Sequence, residues 1–266
     1  MFDTDSCVVA VDCETTGLNP YLGARPFLWQ VCDGAGKIQL FRTDNPKEMA
    51  RFREILADET IQKVGHNLKF DLKMAKTSDP ELIVKGKIHD TMIMATLLNE
   101  NEPSHALAAL SAKYLGSDNA TDKALNDWFR KNAYQLRKRF GKNWKRYDAV
   151  PWEIMKPYAS NDVIETIKLA FLYSGPIEEV YSQIYAIEMK FLPALVDIEA
   201  RGHRVDVPYF KRMRLKARTK IKLMTERLQE AVALEDFNPD SPAQVGKYFN
   251  SLEIESPERT KKGNPS

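Results

Sequence analysis

The apolar, β-branched run Val8-Val9-Ala10-Val11 ends in Asp12-Cys13-Glu14, and this ending limits the possible folds more than any other stretch of the chain. The run reads as a buried strand. Side chains on a strand alternate faces, so Asp12 and Glu14 point the same way while Cys13 turns beneath the sheet. Two carboxylates on one face repel each other, and keeping both ionised is costly unless cations lie between them. Oxygen ligands of this type suit hard divalent ions such as Mg2+ or Mn2+. The feature points to a strand-borne metal site. For a lone pair, a solvated strand end is the competing explanation.

Two further segments supply more acids. Val64-Gly65-His66-Asn67-Leu68-Lys69-Phe70-Asp71 reads as a strand end followed by a helix start. Tyr158-Ala159-Ser160-Asn161-Asp162 lies in a stretch that reads as helix over residues 157–172. Tyr158 and Asp162 are four apart and so share a helix face one turn apart. Alone, Asp71 would pass for an ordinary first-turn acid, and Tyr158 with Asp162 for a solvated face. Together the segments place four acids and a phenol in a fixed order.

Asp-x-Glu-Thr, then Asn-x-x-x-Asp, then Tyr-x-x-x-Asp resembles the three motifs of the DEDDy 3′→5′ exonucleases, whose proofreading version is found in family A DNA polymerases. The resemblance places Asp12, Glu14, Asp71 and Asp162 on the metal-site acids and Tyr158 on the tyrosine beside the last. It extends over Asp90-Thr91-Met92-Ile93-Met94-Ala95-Thr96-Leu97-Leu98. It implies an α/β, ribonuclease H-like exonuclease fold, a mixed sheet flanked by helices, with a helical thumb-like extension at the C-terminal end. It also implies two divalent cations, Mg2+ or Mn2+, and release of 5′-mononucleotides from DNA 3′ ends. Leu18 matches a leucine that wedges beside the terminal base, and Asn67 one that contacts the terminal nucleotide, with His66 its neighbour there. Tyr158, whose ordinary pKa is about 10, would orient the attacking water together with Glu14.

The tail extends the likeness. Residues 188–206 resemble the approach to a polymerase thumb, and Ser241-Pro242-Ala243-Gln244-Val245-Gly246-Lys247-Tyr248-Phe249 a thumb helix. Residues 1–175 are thus expected to form the exonuclease domain and residues 176–266 a partial thumb. Thr260-Lys261-Lys262-Gly263-Asn264-Pro265-Ser266 resembles the thumb tip, and no palm or fingers follow. The expectation is a truncated or split family A polymerase. Its partners would be a single-stranded DNA 3′ end, primer-template, and a separate polymerase chain carrying palm and fingers. Two other readings stand beside an active proofreading exonuclease: a non-catalytic module docking such a polymerase chain onto DNA, and an RNA-processing 3′→5′ exonuclease.

Charge is nearly balanced, Lys+Arg 39 against Asp+Glu 37, so distribution matters more than the sum. Arg130, Lys131, Arg137, Lys138, Arg139, Lys142, Lys145 and Arg146 are interleaved with Phe129, Tyr134, Phe140, Trp144 and Tyr147. Cations for phosphates and aromatics for stacking suit a single-strand groove; a solvated helix with its aromatics in the core fits equally. A second basic run, Lys211, Arg212, Arg214, Lys216, Arg218, Lys220 and Lys222, lies on a long helix suited to duplex backbone contact. Cys7, Cys13 and Cys32 have neither disulfide nor zinc spacing, and the four histidines lack metal-ligand spacing. No apolar stretch approaches the roughly 18 residues of a membrane helix, and Met1-Phe2-Asp3-Thr4-Asp5 is no signal peptide. A cytoplasmic protein is expected.

Periodicity and turn residues predict strands over residues 7–12, 27–32 and 37–41, a hairpin at Gly34-Ala35-Gly36 and a buried strand over 61–65. Helices are expected from Asn45-Pro46 to Ala57, from Asn67 to Ala75, from an Asp90 cap to Leu98, and from Ser104 to Gly116. From Ser174 onward the pattern is helical. The domain boundary is expected near Gly175-Pro176, with residues 177–200 able to run on as one helix.

Overall fold

The computed structural model describes residues 7–254. Five strands form a mixed sheet in the order β3-β2-β1-β4-β5. They are β1 (Cys7–Thr15), β2 (Pro26–Asp33), β3 (Ile38–Arg42), β4 (Ile61–Gly65) and β5 (Ile88–Asp90). The first three form an antiparallel meander, and β4 and β5 extend it in parallel from β1. Asp33 sets the β2–β3 turn: its carboxylate accepts from Ala35 N and Lys37 N, and Gly36 takes the left-handed conformation at φ 83.

The alternation along β1 divides the core. Val9, Val11 and Cys13 join Trp29, Val31 and Phe41 against helix α1 (Pro46–Ala57) and helix α2 (Leu68–Ser78). Trp29 stacks on Phe52 of α1 with ring centroids 4.9 Å apart. Val8 and Ala10 pack on the other face with Val163, Ile167 and Ala170 of helix α6 (Trp152–Pro176). Burying one such side chain contributes about 1.5–3 kcal/mol. A one-residue slip would exchange both faces and drive Asp12 and Glu14 into the α1–α2 core, so packing pins the register that aims the acids.

Helices α3 (Thr91–Leu98), α4 (Leu107–Leu115) and α5 (Ala120–Phe140) complete the surround of α6. Several elements differ from expectation: β1 runs on from Asp12 to Thr15 and α2 from Ala75 to Ser78. Strand β5 was not anticipated, because three residues, Ile-His-Asp, carry no periodicity. Helix α4 opens after Ala106, since Ser104 lies two residues outside it and bonds Ala106 N instead. Helix α6 begins a turn earlier than Pro157, which sits inside it. Proline lacks the N–H that would bond back to Glu153; burial of Met155 and Ala159 on either side holds the helix through that gap.

Gly175-Pro176 does not interrupt the helix. A π-helical turn, Ile177–Tyr181, carries it into α7 (Ser182–Arg201), whose Tyr185, Leu192 and Val196 are buried. Compact packing divides the chain into Met1–Gly202 and His203–Ser266. The second unit holds α8 (Val207–Val232), capped by Asp206, and α9 (Pro242–Ser251), capped by Ser241. Phe237 is buried there, its ring centroid 5.9 Å from that of Tyr248. The thumb-tip residues 260–266 and the N-terminal residues 1–5 discussed above lie outside the described residues. Among the described residues no helix is long and apolar enough to cross a membrane.

Candidate active site

Strand β1 outruns its parallel neighbour. Pairing with β4 ends at Ala10–Val64, whereas pairing with β2 continues to Thr15. The β4 side of residues 12–14 is therefore open. Gly65 ends β4 so tightly against α2 that a Cβ there would stand 2.9 Å from Leu68 Cβ. The tight corner brings the first turn of α2 back to β1, where Asp71 Oδ1 accepts Cys13 N at 3.1 Å. From the opposite face α6 delivers Asp162. One carboxylate oxygen from each of Asp12, Glu14 and Asp162 lies within 4.8 Å of the others. The four predicted acids thus come from three separate segments to one strand end.

These acids are held against their own chemistry. Glu14 and Asp71 are buried, and Asp12 and Asp162 keep a partial opening to solvent. Burial pushes the Asp12 carboxyl up to about 7. Burial and then the Asp12 charge raise Glu14 and Asp71 well above the ordinary range, and Asp162 shifts the same way with Glu14 adding to the cause. A cluster whose burial and mutual repulsion resist ionisation, with acceptor oxygens this close, fits a hard divalent ion.

Tyr158 stands one turn before Asp162 and offers it a hydrogen bond. Burial, and the charges of Asp162 and Glu14, raise its hydroxyl above the ordinary value, so it stays protonated. Leu18 is 83 % exposed. The loop that shows it is braced: Thr15 Oγ1 donates to Gly17 O, Thr16 N to Arg25 O, and Asn19 accepts Tyr21 N. Asn67 occupies the left-handed region at φ 62 and makes no capping bond with its side chain. His66 Nε2 donates to His105 O and its Nδ1 pairs with Thr91 Oγ1, each at 2.9 Å. Burial lowers its pKa to about 4, leaving a neutral ring that braces the corner. A contact from His66 to substrate would come at the expense of one of these bonds.

Two residues at the site carry no motif. Gln30 on β2 lies opposite Asp12, and its Nε2 donates to Asp12 Oδ2 at 2.5 Å and, more weakly, to Glu14 Oε1 at 3.4 Å. Only the antiparallel register reveals it. Asp90 is more than the cap of α3: it accepts Met92 N and Ile93 N there, and Asn67 N and Leu68 N at the start of α2. In the basic aromatic segment, Phe129 is buried and Phe140, Trp144 and Tyr147 pack on the same core. Arg137 lies over the Trp144 ring and Arg146 over Phe140. Tyr134 alone of those aromatics stays largely open to solvent.

Residues 3–171 match the family model of 3′-5′ exonucleases. The DNA polymerase of Escherichia phage T5 is 31% identical over 212 residues, covering 73% of this chain and 24% of its own length. DNA polymerase I of Pseudomonas aeruginosa is 26% identical over 84% of this chain and 23% of its own length. DNA polymerase DpoZ of Salmonella phage PMBT28 is 28% identical over 91% and 38%. The chain therefore spans well under half of these relatives. Among solved structures, the POL domain of Pol1 from M. smegmatis, in complex with DNA primer-template and dNTP, superposes with TM-score 0.66 at 18% identity, over 98% of this chain and 40% of that one. Brucella melitensis NrnC with bound Mg2+ gives 0.55 at 20% identity over 76% and 90%; both likenesses concern the fold. Motifs, sheet order and family match agree: the chain belongs to the 3′→5′ exonuclease family of the family A DNA polymerases.

Proposed function

We propose that this chain is a two-metal-ion 3′→5′ exodeoxyribonuclease of the proofreading type. The observation that carries it is the convergence of Asp12, Glu14 and Asp162 within 4.8 Å, in a cluster whose burial raises its carboxyls. Asp12, Glu14 and Asp162 would hold one cation, and Asp12 with Asp71 the other, Mg2+ or Mn2+ in both places. When bound, paired cations activate water and stabilise the departing 3′ oxygen.

The protein's own groups set the geometry. The Tyr158 hydroxyl, kept protonated, orients the attacking water together with Glu14. Leu18 meets the terminal base from the braced loop, and the Asn67 side chain, which makes no capping bond, meets the terminal nucleotide. Water adds to phosphorus and the P–O3′ bond breaks, giving a 5′-mononucleotide and a new 3′-hydroxyl. Residues 1–175 supply this chemistry. Residues 176–266, with the basic run on α8, would form the thumb-like part that meets duplex backbone and a polymerase chain carrying palm and fingers. The setting is cytoplasmic.

Incubation of the purified protein with Mg2+ or Mn2+ and 5′-labelled single-stranded DNA and RNA, side by side, tests the proposal. Stepwise shortening of DNA supports it. Shortening of RNA alone would move the chain to RNA processing, and cleavage of neither would leave a docking module.

A further inference from the structure

Gln30 is wholly buried, and it is the neutral group in contact with the acidic cluster from the neighbouring strand. Its amide gives its N–H donors to Asp12 and Glu14, while its own Oε1 is buried with no hydrogen-bond partner. An amide buried for packing alone would turn so that both ends are satisfied. Here the opposite flip would press a carbonyl oxygen against two carboxylates, so the acids dictate the orientation, and the unpaired oxygen is its cost.

We propose that Gln30 is a positioning residue for cation binding: it fixes the side-chain angles of Asp12 and Glu14 without neutralising them. The distinction from a cation is physical. A lysine or arginine at this place would compensate the carboxylates and compete with a metal ion for them. An amide donates hydrogen bonds to the same oxygens and leaves the net negative charge for the ion. Each carboxylate oxygen has lone pairs to spare for an ion beside a single donor. The register reinforces the arrangement, because Asp12–Gln30 and Glu14–Leu28 are paired across β1 and β2, and Leu28 is itself wholly buried. The donor therefore sits on a rigid neighbour rather than on a loop. Partners of this kind, hydrogen-bonded to metal ligands, typically affect metal affinity by about ten- to a hundredfold.

The inference rests on the metal-site reading given above. Its test is Mn2+ binding to the full chain, followed by the electron paramagnetic resonance of free Mn2+, for the parent, Gln30→Leu, Gln30→Asn and Asp162→Ala. Circular dichroism and thermal melting report the fold of each. Gln30→Leu removes the donor at similar volume and is expected to bind Mn2+ about ten- to a hundredfold more weakly with its fold retained. Nucleotide release should recover at high Mn2+, so that the metal midpoint moves while turnover at saturation does not. Gln30→Asn keeps the amide one methylene short of the acids; it should show the same weakening, and it decides the matter if Gln30→Leu does not fold. Parental Mn2+ affinity in a folded Gln30 variant overturns the inference while leaving the metal site standing. No Mn2+ uptake by the parent, or equal uptake by Asp162→Ala, overturns the metal-site reading and the inference with it.

Discussion

At Asp12 the loss of water raises the carboxyl, while hydrogen bonds from the Cys13 backbone and the Gln30 amide pull the other way. The folded carboxyl is raised from 3.8 to about 7, and Glu14, Asp71 and Asp162 move the same way. A raised carboxyl contributes stability that is complete below its unfolded pKa and lost as pH rises through the folded one. That loss begins above the unfolded value and is nearly complete at the folded one, so the metal-free protein should melt at lower temperature as pH rises from about 4 to about 7. His66, lowered from 6.5 to about 4, acts in the opposite sense over part of that span, one group against the four acids. Mg2+ or Mn2+ should restore the loss at the alkaline end, and melting independent of pH would contradict the charged cluster. Asp12→Ala and Asp162→Ala should abolish nuclease activity with the metal-free melting temperature unchanged or raised, since each removes one member of a repelling set. A variant that cleaves at the parental rate would remove its residue from the site. Tyr158→Phe deletes only the hydroxyl, and turnover should fall on the order of 100-fold with DNA affinity preserved; equal losses in both would make Tyr158 a substrate contact. These residues were legible because acid type and spacing are local. Gln30 was not, because its role exists only through its pairing with Asp12.

Among the elements, α2 and α3 share one anchor. The Asp90 carboxylate accepts four backbone N–H groups from two helix starts, and one of those helices carries Asp71. Asp90→Ala would strip both caps at once and should cost about 2–4 kcal/mol in urea unfolding, twice an ordinary capping loss. A cost near zero would mean that water replaces the carboxylate without penalty. The sequence marks Asp90 as a cap for α3, the helix that follows it directly, but not for α2, whose first residue lies 22 positions earlier. The same limit hid β5, which is defined by its bonds to β4 rather than by its own three residues. The hairpin at Asp33–Lys37 and the Asn45-Pro46 helix start were readable, because a turn residue or a cap acts within four positions. The basic aromatic segment shows the reverse case. Its composition suits stacking on bases, yet Phe129 and its neighbours pack inward, since burying an aromatic ring outweighs displaying it in water.

For the whole molecule, the mixed sheet does one thing that no single element can: it ends β4 early and lets α2 and α6 approach β1 from opposite faces. The α/β class and the acid set follow from pattern, but this meeting of faces depends on strand order, which the family resemblance supplied. The sequence leaves open that residues 177–200 run on as one helix, and α7 does so: the backbone passes Gly175-Pro176 in helical form and the helix lies within the first unit. The most direct measurement is of the first product. Single-stranded DNA labelled at its 3′-terminal nucleotide is mixed with the protein and Mg2+, with EDTA and with Asp162→Ala in parallel. The label should appear first as a 5′-mononucleotide, only with the divalent ion and not with the variant. Label released as oligonucleotides, release that persists in EDTA, or no release at all would contradict a cation-dependent 3′→5′ exonuclease built on Asp12, Glu14, Asp71 and Asp162.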